Sequence, residues 1–297
     1  MTRIVSVLAG DGIGPEVIEQ AVKVLPSEYL VKRVTTGAER YLATGELLAA
    51  DDLKTISESD ALLFGAVGDP RVPDGILERG ILLELRRMLD LYVNLRPFPD
   101  LGVVFVRENT EGAYAGMGRR VDDQAVEVSV NTSTAIRRCA NYAFDLARRR
   151  SGRLTLVHKR NVMTYAGALW SEVVDEVAKQ YVDVEVLYEH ADAAAYHLVR
   201  DPGRFDVILT DNLFGDLLSD LAAGLSGGLG KAASANLHPD VATRPTRCVG
   251  LFEPVHGSAP DIAGSGTADP TAAIEAARML VDALEARGAE REEPVFT

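Results

Sequence analysis

Apolar runs in this chain are cut by short polar or glycine-rich breaks, and their periods predict strands and helices in turn. Ile4 to Leu8 reads as a strand, followed by a glycine loop from Gly10 to Pro15 and a helix from Glu16 to about Leu25. Ala61 to Gly68 is a buried strand ending in a glycine turn, and Ile81 to Leu89 is an apolar helix. Pro97 blocks helical continuation after Leu91, which puts Arg96 at an element boundary. Val103 to Val106 is a buried strand whose polar end breaks out at Arg107. Val126 to Asn131 alternates as a two-sided strand, and Ala135 to Arg150 is an amphipathic helix. Leu154 to Val162 reads as a buried strand with Lys159 at its end, and Val182 to Tyr188 as another. Phe205 to Leu209 is a short strand, and the Thr210-Asp211-Asn212 turn opens a helix. Leu217, Leu218 and Leu221 leave little of that helix for solvent, and glycines 224, 227, 228 and 230 end it in close-packed backbone. Gly250 to Gly264 is a long irregular stretch before a helix from Pro270 to Leu284. Buried strands alternating with helices predict an α/β fold.

Length allows a sizeable core, as one large or two closely joined domains, because the chain has 297 residues of which 47% are hydrophobic. A net charge of −13 argues against a nucleic-acid partner, since phosphate neutralisation needs clustered Lys and Arg. The one dense basic run, Arg148 to Arg150, ends a helix where cations complement the dipole. Two cysteines, Cys139 and Cys248, lack metal spacing and read as reduced thiols of a cytoplasmic protein. No apolar run reaches the length of a membrane span, and Met1-Thr2-Arg3 leads into a strand rather than a signal segment.

The chemistry concentrates at segment ends. Asp216 and Asp220 stand four residues apart on one helical face, where two like charges call either for a salt-bridging partner or for a hard divalent cation. Arg86, Arg96 and Arg107 are each ordinary salt-bridge partners taken alone, whereas together they could grip carboxylates bidentately. Lys159 is either a snorkelling side chain or a tuned base, and His158 reads as structural. Asp192 fits a first-turn helical acid. The Gly10 loop spells GxGxGP, without the third glycine of a dinucleotide fingerprint, so it is either a ligand cradle or a tight turn requiring positive φ.

The blocks GDGIGPEV (Gly10 to Val17), NLRP (Asn94 to Pro97), HKRNV (His158 to Val162), TDNLFGD (Thr210 to Asp216) and EPVHGSAPDIAG (Glu253 to Gly264) give the chain a resemblance covering nearly its whole length. It resembles the isocitrate/isopropylmalate dehydrogenase family of β-decarboxylating dehydrogenases, and within it the isopropylmalate branch. The resemblance implies a two-domain α/β fold, distinct from the Rossmann dinucleotide domain, with an active-site cleft between domains. Residues 1–92 and 227–297 would form the first domain and 93–226 the second, with dimerisation elements. It implies NAD and Mg²⁺ or Mn²⁺ as cofactors, a small 2-hydroxy diacid as substrate, and a homodimer whose active sites are shared between subunits. It carries the catalytic roles to Tyr114 and Lys159, and substrate contacts to Arg86, Arg96, Arg107, Leu82, Leu83 and Val162. Cofactor contacts fall on Asn161, His256, Gly257, Ser258, Ala259, Asp261, Ile262 and Asp269, and metal ligation on Asp192, Asp216 and Asp220. Leu82 and Leu83 favour a small alkyl substituent over a third carboxylate, which leucines would leave unpaired. Asp261 would repel a 2′-phosphate, favouring NAD over NADP. The connection from Pro97 to Val103 is shorter than the family's loop, and Arg287 to Thr297 stand where the family has a further helical region. A paralogue acting on a related 2-hydroxy diacid and a non-catalytic regulatory subunit on the same fold are the alternatives.

Overall fold

β1 (Ile4–Gly10) begins the first of two units into which the chain divides, Met1–Leu91 with Leu229–Thr297; the second is Tyr92–Gly228. Residues 2–292 are described by this computed structural model, so 293–297 of the C-terminal expectation lie outside the described residues. After β1 the first unit contains α1 (Gly14–Val22), β2 (Leu30–Arg33), α2 (Ala38–Thr44), α3 (Ala50–Ser57), β3 (Ala61–Ala66), a π-helical turn over Glu78–Leu83 and α4 (Glu84–Met88). The second unit is built from β4 (Val93–Phe98), β5 (Val103–Glu108), β6 (Gly112–Val121), β7 (Gln124–Val130), α5 (Ser133–Arg149), β8 (Arg153–His158), α6 (Thr164–Ala178), β9 (Glu185–His190), α7 (Ala191–Arg200), β10 (Val207–Thr210) and α8 (Asn212–Leu225). The first unit resumes with β11 (Ala233–Leu237), β12 (Gly250–Pro254) and α9 (Thr271–Glu292).

Strands of the first unit run in the order β2-β1-β3-β12-β11, parallel except for the β11–β12 pair. In the second unit the order is β4-β5-β10-β8-β9, parallel except for β4–β5, and β6 with β7 forms a separate antiparallel hairpin. Helices cover both faces of such sheets, so the strands are continuous apolar runs: Leu62, Leu63 and Phe64, like Val207, Ile208 and Leu209, are fully buried without alternation. Phe64 joins Leu8, Ile81, Leu85 and Leu251 in one core, while Phe105, Phe144 and Trp170 are buried in the second unit.

Several expectations change. Pro97 sits within β4, opposite Val104 of β5, because its fixed φ suits extended backbone, so Arg96 is inside a strand rather than at a boundary. Arg107 does not break out to solvent; it is 1% exposed. The irregular stretch begins only after Pro254, since Gly250–Pro254 is β12. The last helix continues past Leu284 to Glu292. On α8, Leu218 is buried but Leu217 is 61% exposed, and Gly224 and Gly228 have open space where a Cβ would stand. Those glycines therefore do not end the helix by close packing; Gly227 and Gly228 serve the turn through positive φ. The Gly10 loop does show close approach: a Cβ on Gly12, at φ +58, would lie 1.9 Å from the Ser258 carbonyl oxygen. Among the described residues no helix is long and apolar enough to cross a membrane, and both cysteines are buried thiols outside any disulfide.

Candidate active site

Asp211 caps α8 by accepting the Phe214 N–H at 2.8 Å, and this fixes where the acids on the helix point. Asp216 lies one turn in and accepts from two arginines and a tyrosine. Arg96 donates to it from Nη2 at 3.3 Å, Arg107 donates from Nη1, and the Tyr114 hydroxyl donates to its other oxygen. Asp220, a turn further, accepts from Arg96 Nη1 at 2.9 Å. Burial pushes the Asp220 carboxyl upward, against the pull of Arg96, and the Asp216 charge adds to the rise. The salt-bridging partners that the acidic pair calls for are thus present, and they are two of the arginines.

Each arginine is itself held by a neutral side chain. Arg96 Nε donates to Asn94 Oδ1 at 2.9 Å and its Nη1 to Ser219 Oγ at 2.8 Å. Asn212, 1% exposed, accepts from Arg107 Nε and Nη2 at 2.9 and 2.7 Å, and donates to the Glu111 carbonyl at 3.0 Å, on the approach to the strand bearing Tyr114. The Arg107 guanidinium carbon stands 5.0 Å from the centre of the Tyr114 ring. Asn94, Asn212 and Ser219 escaped the sequence reading because an uncharged residue inside an apolar element leaves no periodic signal. The presence of the two asparagines within NLRP and TDNLFGD was the available clue.

Lys159 leaves the end of β8 and donates from Nζ to Asp192 Oδ1 at 2.6 Å, holding that carboxyl below its usual range. Asp192 is thus gathered with Lys159 and not with Asp216 and Asp220. Among the described residues no group of three or more His, Cys, Asp or Glu side chains is placed to hold a metal ion. Two carboxylates without nearby sulfur or imidazole suit a hard divalent cation, as part of an oxygen shell that other donors complete. Asn161 and Val162 follow Lys159 and are exposed, Val162 at 68%.

His158 is fully buried between Trp170 and Phe214, neither ring nitrogen has a hydrogen-bond partner among the described residues, and its Nε2 lies 3.5 Å from Asp211 Oδ2. Burial pushes His158 down to about 4 and Asp211 up to about 6. The stability due to the neutral histidine is present above its ordinary value of 6.5 and is lost as pH falls through about 4. That due to the raised aspartate has the opposite sign: it is present below 3.8 and is lost as pH rises through about 6. Between these limits the two oppose each other. Asp211→Asn keeps the cap but removes one side of the balance, so its urea midpoint should fall more steeply between pH 6 and 4 than the parent's, by roughly 3 kcal/mol in stability. Parallel pH profiles would contradict this account.

In the first unit Arg86 is buried and donates from Nη2 to Glu253 at 2.9 Å, while Asn236 also donates to Glu253 at 2.8 Å. The Arg86 Nε has no hydrogen-bond partner among the described residues. Leu82 and Leu83 end the π-helical turn; Leu82 packs against the core and Leu83 is half-buried. Within the stretch after β12, the Ser258 carbonyl accepts the Ile13 N–H at 2.8 Å, His256 Nδ1 lies 2.9 Å from the Gly257 carbonyl, and Ala259 has φ +39. Asp261 and Ile262 are exposed, and Asp269 is held below its usual range by the Thr271 hydroxyl and N–H. Ser258 and Pro260 also line a cavity of about 240 Å³ with Gly68, Asp69, Leu77 and Glu78. Asp11, not singled out from the sequence, ties two of these loops by accepting from Ala38 N–H at 2.7 Å and Gly68 N–H at 3.1 Å.

Solved structures share this fold. The isocitrate dehydrogenase of Methylococcus capsulatus matches with a TM-score of 0.86 and 38% identity, covering 98% of this chain and 88% of that one. A β-decarboxylating dehydrogenase from Thermococcus kodakarensis matches with a TM-score of 0.80 and 40% identity, covering 96% and 84%. By fold the protein is thus an α/β protein of the β-decarboxylating dehydrogenase type. The sequence model of the isocitrate/isopropylmalate dehydrogenase family matches residues 4–292, and the chain belongs to that family, whose members are enzymes. The 3-isopropylmalate dehydrogenase of Mycobacterium leprae (strain TN) is 52% identical, with 93% of this chain and 87% of that protein covered. That of Mycobacterium tuberculosis (strain H37Rv) is 51% identical, with 94% and 88% covered.

Proposed function

We propose that this protein is an NAD-dependent, metal-requiring enzyme that oxidatively decarboxylates 3-isopropylmalate to 4-methyl-2-oxopentanoate and CO₂ in leucine biosynthesis. The observation that carries the reading is the convergence of Arg96, Arg107 and Tyr114 on Asp216, in a chain about half identical to proteins named for that activity. Arg86, Arg96 and Arg107 bind the substrate carboxylates through charge-assisted forks. Leu82 and Leu83, with Val162, receive the isopropyl group and reject a third carboxylate. Asp216 and Asp220, with Asp192 of the second subunit, would hold Mg²⁺ or Mn²⁺, which would supply positive charge to the substrate's hydroxyl oxygen, and NAD would supply the hydride acceptor. Lys159 of the second subunit removes the hydroxyl proton, directly or through water. Tyr114 returns a proton to C3 after CO₂ leaves, its hydroxyl already aimed by Asp216.

On this reading residues 1–92 and 227–297 form the nucleotide-side domain, and 93–226 carry the dimerisation elements. His256, Gly257, Ser258, Ala259, Asp261, Ile262 and Asp269, with Asn161, contact NAD. The working form is a cytoplasmic homodimer. The exposed Val126, Val128 and Val130, which share one face of β7, support a partner surface, since apolar side chains gathered in solvent call for a cover. The reading is tested by following NADH formation with Mn²⁺ on 3-isopropylmalate, isocitrate, D-malate and tartrate. Preference for 3-isopropylmalate by a factor of roughly 10² or more over isocitrate is expected, because the latter strands a carboxylate against leucines. Preference for another diacid would overturn the substrate assignment.

A further inference from the structure

Lys159 stands at the point where β8 ends and the chain turns towards α6, and the turn is held at Lys159 itself: its carbonyl accepts the N–H of Val162 at 3.0 Å and of Met163 at 2.8 Å. Gly167 of α6 packs directly on the next residue, where a Cβ would come within 2.4 Å of the Arg160 Cα. What spans the lysine is a side chain from the neighbouring strand. β9 pairs in parallel with β8, Leu156 opposite Tyr188 and His158 opposite His190. From that register the Tyr188 hydroxyl reaches both residues flanking Lys159: it lies 2.9 Å from the His158 carbonyl and accepts the Arg160 N–H at 3.1 Å. The Arg160 guanidinium carbon lies 3.8 Å from the centre of the same ring. The hydroxyl has one proton, and the His158 carbonyl can only accept, so that bond consumes it. His190 Nδ1, 3.0 Å away, then acts as a donor to the phenol oxygen.

We infer that Tyr188 is a positioning residue for the base: its hydroxyl, by bridging the backbone before and after Lys159, fixes where the amine is launched. The inference rests on the reading of Lys159 as the group that takes the substrate's hydroxyl proton. A lysine side chain has four rotatable bonds, so its reach is reproducible only if its Cα is fixed, and small misplacements of a reacting group are costly. Exposed turns at strand ends are otherwise among the first parts of a protein to open.

Tyr188→Phe removes the bridge and leaves the ring that stacks on Arg160. With 3-isopropylmalate, NAD and Mn²⁺, kcat should fall by roughly tenfold while both KM values stay within about twofold. The C2-deuterium isotope effect on kcat should rise, because the slowed step is the chemical one. Hydrogen exchange of the amides from Arg160 to Met163 should quicken while those within β8 keep their protection. In a Lys159→Ala background the same substitution should cost nothing further, since the bridge acts through the lysine. An unchanged kcat and isotope effect would overturn the inference, as would an equal loss with and without Lys159. Full turnover by Lys159→Ala alone would remove the lysine from the chemistry and overturn the inference together with the reading beneath it. Loss in Lys159→Ala with none in Tyr188→Phe would overturn the inference alone.

Discussion

Lys159→Ala should lower NADH formation by roughly 10²–10⁴-fold, the range in which a positioned acid or base acts. The fall should appear in kcat with little change in KM, because the amine acts on the proton in flight and leaves the substrate's carboxylates to the arginines. Its present partner is Asp192 at 2.6 Å, and both side chains reach solvent, at 25% and 71% exposure. An exposed ion pair adds little to stability, so the melting temperature should hardly move. That separation of activity from stability makes the result diagnostic: a variant equally active, or inactive only because it is unfolded, would contradict the assignment.

Asp216→Asn should cost turnover on a similar scale, roughly 10³-fold, and for a different reason. The amide keeps the shape but removes the charge to which Arg96, Arg107 and Tyr114 all donate. It also weakens any hard cation bound beside Asp220. Arg107 is 1% exposed, and a buried cation deprived of its anion is destabilising by roughly 3–5 kcal/mol. Here activity and thermal stability should therefore fall together, and kinetics are to be compared well below the variant's melting temperature. The two inactive proteins offer a joint test of subunit sharing. After unfolding and refolding together, about half of the dimers should pair Lys159→Ala with Asp216→Asn, and each such dimer would have one site with neither lesion. Recovery of about a quarter of the parent rate is expected from those statistics, and no recovery would contradict shared sites.

The sequence made some parts of this structure plain for physical reasons. Val207 to Leu209 and the acids at 216 and 220 were legible because burial on both faces removes alternation, and because a four-residue spacing defines a helical face. The π-helical turn before α4 was hidden, since its apolar residues fit an α-helical period about as well. Arg107 reads as emerging because a charged residue ending an apolar strand usually meets water; Asn212 and Asp216 let it stay inside. Two of the partners that aim the arginines, Asn212 and Ser219, lie on α8, far along the chain from Arg107 and Arg96, and such contacts leave no local trace; Asn94 stands two residues from Arg96 on the same face of β4, where a neutral amide gives no signal of its role. β6 and β7 show the opposite difficulty. Val126 to Asn131 reads as an ordinary two-sided strand, yet Val126, Val128 and Val130 are all exposed, as is Val121 on the neighbouring β6.

The central claim, oxidation coupled to loss of CO₂, is tested most directly by counting products. With 3-isopropylmalate, NAD and Mn²⁺, the account predicts one CO₂ and one 4-methyl-2-oxopentanoate for each NADH, with all three abolished by a chelator and restored by added Mn²⁺. NADH without CO₂, or turnover indifferent to the chelator, would contradict it.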